Sequence, residues 1–174
     1  MGATEKIGDP NSQGALALDP IALLKALRPL QWVKNGLVFL PFVFAVDLAW
    51  STDDLGPVPE LLLKLVFVAL AFCALSSAIY LFNDLMDRSG DRLHPVKKNR
   101  PIASGKVGVP VAVAVMIMLA TAGLVVMVLV EPFLGLAGGL YAGINVGYSL
   151  GIKQVVLLDA FAVTSGYVIR AAAG

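Results

Sequence analysis

From Leu65 to Phe82 the chain carries no charged residue, yet the next nine positions, Asn83 to Asp91, hold three aspartates. Extended back to Leu61, the apolar run is long enough to cross a bilayer, which takes about 20 residues of helix. Lys64, near its start, can snorkel to the interface. Asp84, Asp87 and Asp91 are spaced so that a continuing helix would carry them on one face. Local preferences oppose that arrangement. Like charges at such spacings cost ~0.2–0.5 kcal/mol each, and the C-terminal end of a helix is already negative. A divalent cation with a phosphorylated ligand beyond it explains the three acids better than any gain in helix stability.

The rest of the chain points to the same solvent. It is 58% hydrophobic and 14% charged, against about 25% charged in ordinary soluble domains, and its mean hydropathy is +0.83. Five membrane spans are expected: Leu30–Trp50, short or kinked because it holds Pro41 and Asp47, then Leu61–Phe82, Val107–Val130, Phe133–Ile152 and Val155–Gly174. The fourth is rich in glycine (Gly135, Gly138, Gly139, Gly143, Gly147), which permits close helix contact. The fifth carries Asp159 and Arg170, costly in lipid unless they face protein. Residues 1–27 are expected to form a polar tail and residues 28–174 the transmembrane domain. The single cysteine, Cys73, excludes an internal disulfide and argues against a cysteine-based zinc site.

Basic residues orient the bundle. Lys25, Arg28 and Lys34 precede or begin the first span, Arg88, Arg92, Lys97, Lys98, Arg100 and Lys106 follow the second, and Lys153 follows the fourth. Asp47, Asp53, Asp54, Glu60 and Glu131 sit at the opposite ends. Five alternating spans put every basic cluster on one side, the cytoplasmic one by the positive-inside rule. The expectation is a multi-pass protein of the cell membrane with its acidic motif facing the cytoplasm.

The segment Asn83–Gly105 reads NDLMDRSGDRLHPVKKNRPIASG. Gly90 and Pro95 are expected to end the helix, so that the acids continue into a loop. Carboxylates alone repel phosphate, but with magnesium they become a template for a diphosphate. The basic residues that follow would hold its free oxygens, arginine by paired contacts and lysine as a point charge. For Lys98 and Lys106, anchoring the topology is as good an explanation. His94 reads as a structural or phosphate-contacting loop residue rather than a ligand. Tyr80 reads as a pocket hydroxyl or, more commonly, an interfacial aromatic.

These residues resemble the first aspartate-rich motif, N-D-x-x-D-x-x-x-D, of the UbiA superfamily of intramembrane prenyltransferases. More narrowly, Asp91 to Gly105 resembles the D-R-x-H-P-x-K-x-x-R-P-I-A-x-G stretch of its decaprenyl-phosphate phosphoribosyltransferase branch. Arg28-Pro29-Leu30-Gln31-Trp32-Val33-Lys34-Asn35 is similar to that branch's R-P-x-Q-W-x-K-N opening. Tyr148 to Lys153, Asp159 and Gly166 to Ala171 are similar to its Y-S-x-x-x-K…D…G-x-x-x-R-A segment. Members of the branch are longer and carry a second acidic motif, so this chain is expected to correspond to their amino-terminal half.

The resemblance implies an all-α polytopic bundle, about five helices of a UbiA-type fold. It implies magnesium-dependent transfer of 5-phosphoribose from phosphoribosyl diphosphate to a polyprenyl phosphate such as decaprenyl phosphate, releasing diphosphate, for cell-wall arabinan precursors. Asp84, Asp87 and Asp91 would be catalytic, holding the metal together with Asn83. Lys34, Asn83, Arg92, Lys97, Arg100, Tyr148 and Lys153 would bind substrate. The partners implied are the two substrates and the bilayer; nucleic acid is not among them, and a homo-oligomer is compatible with the sequence. One rival is an aromatic prenyltransferase on the same scaffold, disfavoured because His94-Pro95-Val96-Lys97 stands where those enzymes tend to have Arg-Thr. The other is a non-catalytic membrane subunit or a cation-binding transporter.

Overall fold

The computed structural model describes residues 17–150 and 156–174. Within them lie α1 (Pro20–Leu27), α2 (Leu40–Phe44), α3 (Val58–Met86), α4 (Arg88–Leu93), α5 (Val109–Val130), α6 (Pro132–Leu150) and α7 (Val156–Ala172). A 3-10 helix, Pro29–Phe39, joins α1 to α2, and a short one, Lys97–Asn99, follows α4. The described residues form no strand, only isolated bridges such as Leu18 with Val107.

The chain enters the fold earlier than a tail ending at residue 27 would allow. Asp19 caps α1, its carboxylate accepting from the N–H groups of Ile21 and Ala22 at 3.0 and 3.1 Å, and Pro20 supplies a preset first-turn φ. The Asp19 N–H donates to Lys106 O at 3.1 Å and the Gly108 N–H to Ala17 O at 2.8 Å. Ala22 and Ala26 are buried with Leu81, Ile102, Val107 and Ala112. Small residues at spacing four give α1 an apolar stripe that polar flanking residues hide from a composition-based reading.

The stretch expected as a first span is not one helix. Arg28 ends α1 in the left-handed region at φ 54°, and the 3-10 helix follows along α3. Runs of that geometry longer than three or four residues are uncommon, and here register explains the length. Trp32 Nε1 donates to Ser77 Oγ at 2.9 Å, and Asn35 Nδ2 donates to Cys73 Sγ at 3.1 Å. Val38 is buried in one cluster with Leu65 and Val68. Three residues of 3-10 helix rise ~6 Å, as do four of α-helix. Every third side chain of one segment therefore meets every fourth of the other. Pro41 falls inside α2, and the chain then turns through Asp47, at φ 65°, to reach α3.

Helix α3 is the centre of the bundle. Its buried residues include Leu65, Val68, Ala71, Phe72, Leu75 and Ile79, and its most extensive packing is against α5. Helix α5 is apolar all round, yet Met118 and Leu129 are 60% and 79% exposed. A helix with that surface has lipid as its solvent. Both α3 and α5 are long and apolar enough to cross a membrane. Gly123 allows their close approach, since a Cβ there would lie 2.9 Å from both Ala71 O and Leu75 Cγ. Of the glycines expected to pack helix on helix, Gly135 and Gly138 face α5 side chains, whereas Gly139 and Gly143 border open space.

Gly90 does not break the helix as expected. It sits inside α4, and the chain leaves helical geometry at His94, φ −82° and ψ 133°, because the residue before a proline disfavours the α region. Asp84 lies in the last turns of α3, Asp87 caps that helix, and Asp91 lies on α4.

Candidate functional site

Two arginines from distant parts of the sequence gather the acids. Asp84 Oδ1 accepts from Arg28 Nη2 at 2.7 Å and from Arg100 Nη1 at 3.4 Å, and Arg100 Nη1 also donates to Asp91 Oδ2 at 2.8 Å. Asp84 and Asp91 are almost fully buried, at 2% and 3% exposure. The Arg28 guanidinium carbon also lies 4.6 Å from the centroid of the Tyr80 ring. A buried carboxylate is tolerable only when paired, and one guanidinium nitrogen, Arg100 Nη1, shared between two acids offsets their mutual repulsion.

The loop after α4 is shaped to deliver Arg100. His94 Nδ1 accepts from the N–H groups of Val96 and Lys97 at 3.2 and 3.3 Å, which sets up the Lys97–Asn99 turn. Arg92 Nε donates to Ala103 O at 3.1 Å, and Ile102 is fully buried. Gly105, at φ 79°, provides the left-handed turn that returns the chain to α5. His94 is thus a loop-shaping residue, and Arg92 holds the same loop.

Two hollows flank the cluster. Met86, Asp87, Ser89, Gly90, Asp91, His94 and Lys97 line an open groove of about 510 Å³. Lys34, Ser76, Ile79, Tyr80, Asn83, Tyr141, Asn145, Tyr148, Gly166, Tyr167 and Arg170 line a second cavity of about 180 Å³. Asn83 therefore faces away from the groove, and its Oδ1 and Asn145 O compete for the single proton of the Ser149 hydroxyl.

The structure thus sorts the expected site residues into three sets. Asp84, Asp91 and Arg100 form the ion-paired cluster; Asp87, Asp91 and Lys97 share the groove; Lys34, Asn83 and Tyr148 share the cavity. Lys153 lies outside the described residues. The sequence offers Arg28, first in the R-P-x-Q-W-x-K-N stretch, either a place in a basic ring around the acids or a role in topology alone, and the structure sets it on Asp84 at 2.7 Å. Arg170 is 7% exposed and donates from Nε to Asn35 Oδ1 at 2.7 Å, from Nη1 to Gly166 O at 2.8 Å and from Nη2 to Tyr141 OH at 2.6 Å. The expectation that Arg170 is tolerable in an apolar segment only if it faces protein is met by these contacts.

Carboxylate and amide oxygens are the hard donors that magnesium takes, so the chemistry of Asn83, Asp84, Asp87 and Asp91 fits that ion. Asp84 and Asp91 are gathered on guanidinium instead, and Asn83 is turned to Ser149. Among the described residues no three acidic, histidine or cysteine side chains converge as a metal site. The Arg100 side chain holds two of the carboxylates a cation would use.

A family model described as the UbiA prenyltransferase family matches residues 38–174. The decaprenyl-phosphate phosphoribosyltransferase of Mycolicibacterium smegmatis is 37% identical over 152 residues, 87% of this chain and 46% of that protein. The protein of the same name from Corynebacterium glutamicum is 37% identical over 154 residues, 87% of this chain and 45% of that protein. The nodulation protein NoeC of Azorhizobium caulinodans is 33% identical over 165 residues, 94% of this chain and 50% of that protein. The chain spans about half the length of the curated relatives it matches.

Proposed function

The chain belongs to the UbiA prenyltransferase family of integral membrane proteins, and from that premise we propose that the protein transfers 5-phosphoribose from phosphoribosyl diphosphate to a polyprenyl phosphate. The observation that carries this reading is the 37% identity, over 87% of the chain, to proteins named decaprenyl-phosphate phosphoribosyltransferase. The loop carrying His94, Lys97 and Arg100 agrees with it: a donor bearing a 5-phosphate and a diphosphate requires several cationic contacts.

In this reading the groove beside Asp87 and Asp91 takes the diphosphate end of the donor. Magnesium would be held by Asp84, Asp87 and Asp91 and would neutralise charge on the departing diphosphate; Asn83, turned to the cavity and Ser149, would join them only on turning to the groove. Lys97 reaches the groove from the loop, and Arg100, on leaving a carboxylate, places its fork on phosphate oxygens. The lipid phosphate is already anionic, so its attack on the sugar carbon needs no general base. Lipid-facing apolar surface on α3 and α5 gives the prenyl tail its surroundings. In the proposed topology five spans cross the cell membrane, with the acidic segment cytoplasmic.

The test is a transfer assay in membranes containing the protein produced from its own gene. Labelled phosphoribosyl diphosphate and a polyprenyl phosphate should give a labelled lipid in the presence of magnesium. Transfer from a labelled prenyl diphosphate to an aromatic acceptor, with none from the sugar donor, would replace this reading by the aromatic one. No transfer in either arm would leave a non-catalytic membrane component.

A further inference from the structure

The two faces of α1 meet different surroundings. Ala22 and Ala26 are buried against Leu81 of α3 and Ala112 of α5, with Leu85, Val111 and Val115 packed around them. The opposite face carries Ile21 and Leu24, continued by Leu18 before the helix, each more than half exposed. Both ends of the helix are pinned. The Asp19 N–H donates to Lys106 O at 3.1 Å, just before α5, and Leu27 O accepts from Ser77 Oγ at 3.0 Å. Eight residues of helix span ~12 Å, so α1 lies along the outside of the last turns of α3 and the first turns of α5. Both of those helices are long and apolar enough to cross a membrane. The outer face of α1 therefore stands at the depth where headgroups meet acyl chains, and apolar side chains gain there by leaving water.

Charge follows the same division. Lys25, beside Leu24, and Lys106, at the outer end of α1, are exposed, and among the described residues neither is paired with an acid. Asp19, the acid next to this face, has its carboxylate on the N–H groups of Ile21 and Ala22. Lysine rests its stem on apolar surface and lifts its ammonium to the headgroups.

We propose that the outer face of α1 is a binding surface for anionic phospholipid, with Ile21 and Leu24 in the acyl boundary and Lys25 and Lys106 on headgroup phosphates. An apolar stripe flanked by lysine, with its one neighbouring acid engaged as a cap, is the pattern of an interfacial helix on an anionic leaflet. A helix this short is marginal alone, but its pinned ends supply the stability that length would otherwise give. The surface is separate from the cavity that Asn83 and Arg170 line. Leu81, which α1 covers, and Asn83 lie about 200° apart around α3.

The experiment uses the protein produced from its own gene, in a Cys73→Ala background, with Leu24→Cys carrying a bimane label. It is reconstituted into vesicles of phosphatidylcholine and phosphatidylglycerol, one or the other brominated on its acyl chains. Brominated lipid should quench the label, and aqueous iodide should not. Phosphatidylglycerol should be preferred at this position by at least about fivefold, which is ~1 kcal/mol, the scale of one lysine near an anionic surface. Lys25→Gln combined with Lys106→Gln should bring the two lipids to parity, and Lys98→Gln should leave the preference unchanged. The same label at Ile21→Cys should agree, and it decides the matter if the Leu24 variant does not fold. Quenching by iodide alone puts the face in water, and quenching by neither puts protein over it, a second copy or another segment of the chain; either result overturns the inference. A preference that survives loss of both lysines overturns it as well. No step needs a substrate, so the outcome is independent of the transfer reading.

Discussion

Arg28 Nη2 donates to Asp84 Oδ1 at 2.7 Å across 56 positions of sequence. Arg28 sits in the left-handed region that glycine usually takes after a helix, and α1 therefore hands the chain to the 3-10 helix with this guanidinium turned toward α3. A strained backbone held in place by a buried carboxylate marks a built feature.

Removing that carboxylate's charge leaves two arginines without their common partner. Asp84→Asn should lower stability by about 1–3 kcal/mol, toward the lower end because the Arg28 side chain remains 34% exposed. Arg28→Gln should cost less, and the double variant less than the sum. Denaturant unfolding in detergent micelles checks this; strictly additive losses would deny the pair any coupling.

Arg100 competes with a divalent cation for Asp84 and Asp91. Arg100→Gln should therefore tighten Mn²⁺ binding, by about tenfold if one ion pair is released, whereas Asp87→Asn should weaken it while membrane insertion persists. The free-ion signal in electron paramagnetic resonance reads both directly. Weaker Mn²⁺ binding in Arg100→Gln would show that this arginine supports the metal rather than displaces it.

Lys97 lines the groove and among the described residues pairs with none of the acids of the cluster, so its charge is available to the donor. Lys97→Ala should raise the concentration of phosphoribosyl diphosphate needed for half-maximal transfer by about tenfold or more, with the lipid's dependence unchanged. An unchanged donor dependence would return Lys97 to the role of a topology anchor.

Orientation is open to chemical labelling. In a Cys73→Ala background, Lys98→Cys should resist a membrane-impermeant maleimide applied to intact cells, and Asp53→Cys should react. Both positions are exposed on the protein surface, so burial does not confuse the result. The opposite pattern would invert the bundle.

Packing separates two glycines. Gly123→Ala places a methyl group 2.9 Å from a backbone oxygen of α3 and should cost about 1–3 kcal/mol. Gly139→Ala meets nothing within 4 Å and should be neutral or mildly stabilising, since alanine favours helix by about 1 kcal/mol. Equal effects on thermal unfolding would contradict the α3–α5 contact.

The sequence by itself determined the solvent, the long helices and the place of the acids. Each follows from local pattern: an uncharged run such as Leu65–Phe82 can satisfy its backbone in lipid only as a helix, and Asp84, Asp87 and Asp91 stand where that run ends. It misjudged residues 17–27 and Gly90, where a small-residue stripe and a tolerated glycine gave weak signals. Tertiary structure decided which charges meet. Arg28, Arg100 and Arg170 are alike in sequence, each a basic residue near apolar material, and no periodicity says that the first two hold Asp84 while the third lies on Asn35 and Tyr141. Those pairings depend on the register of the 3-10 helix along α3 and on where α7 returns against α6, distances set by packing between segments far apart in the chain.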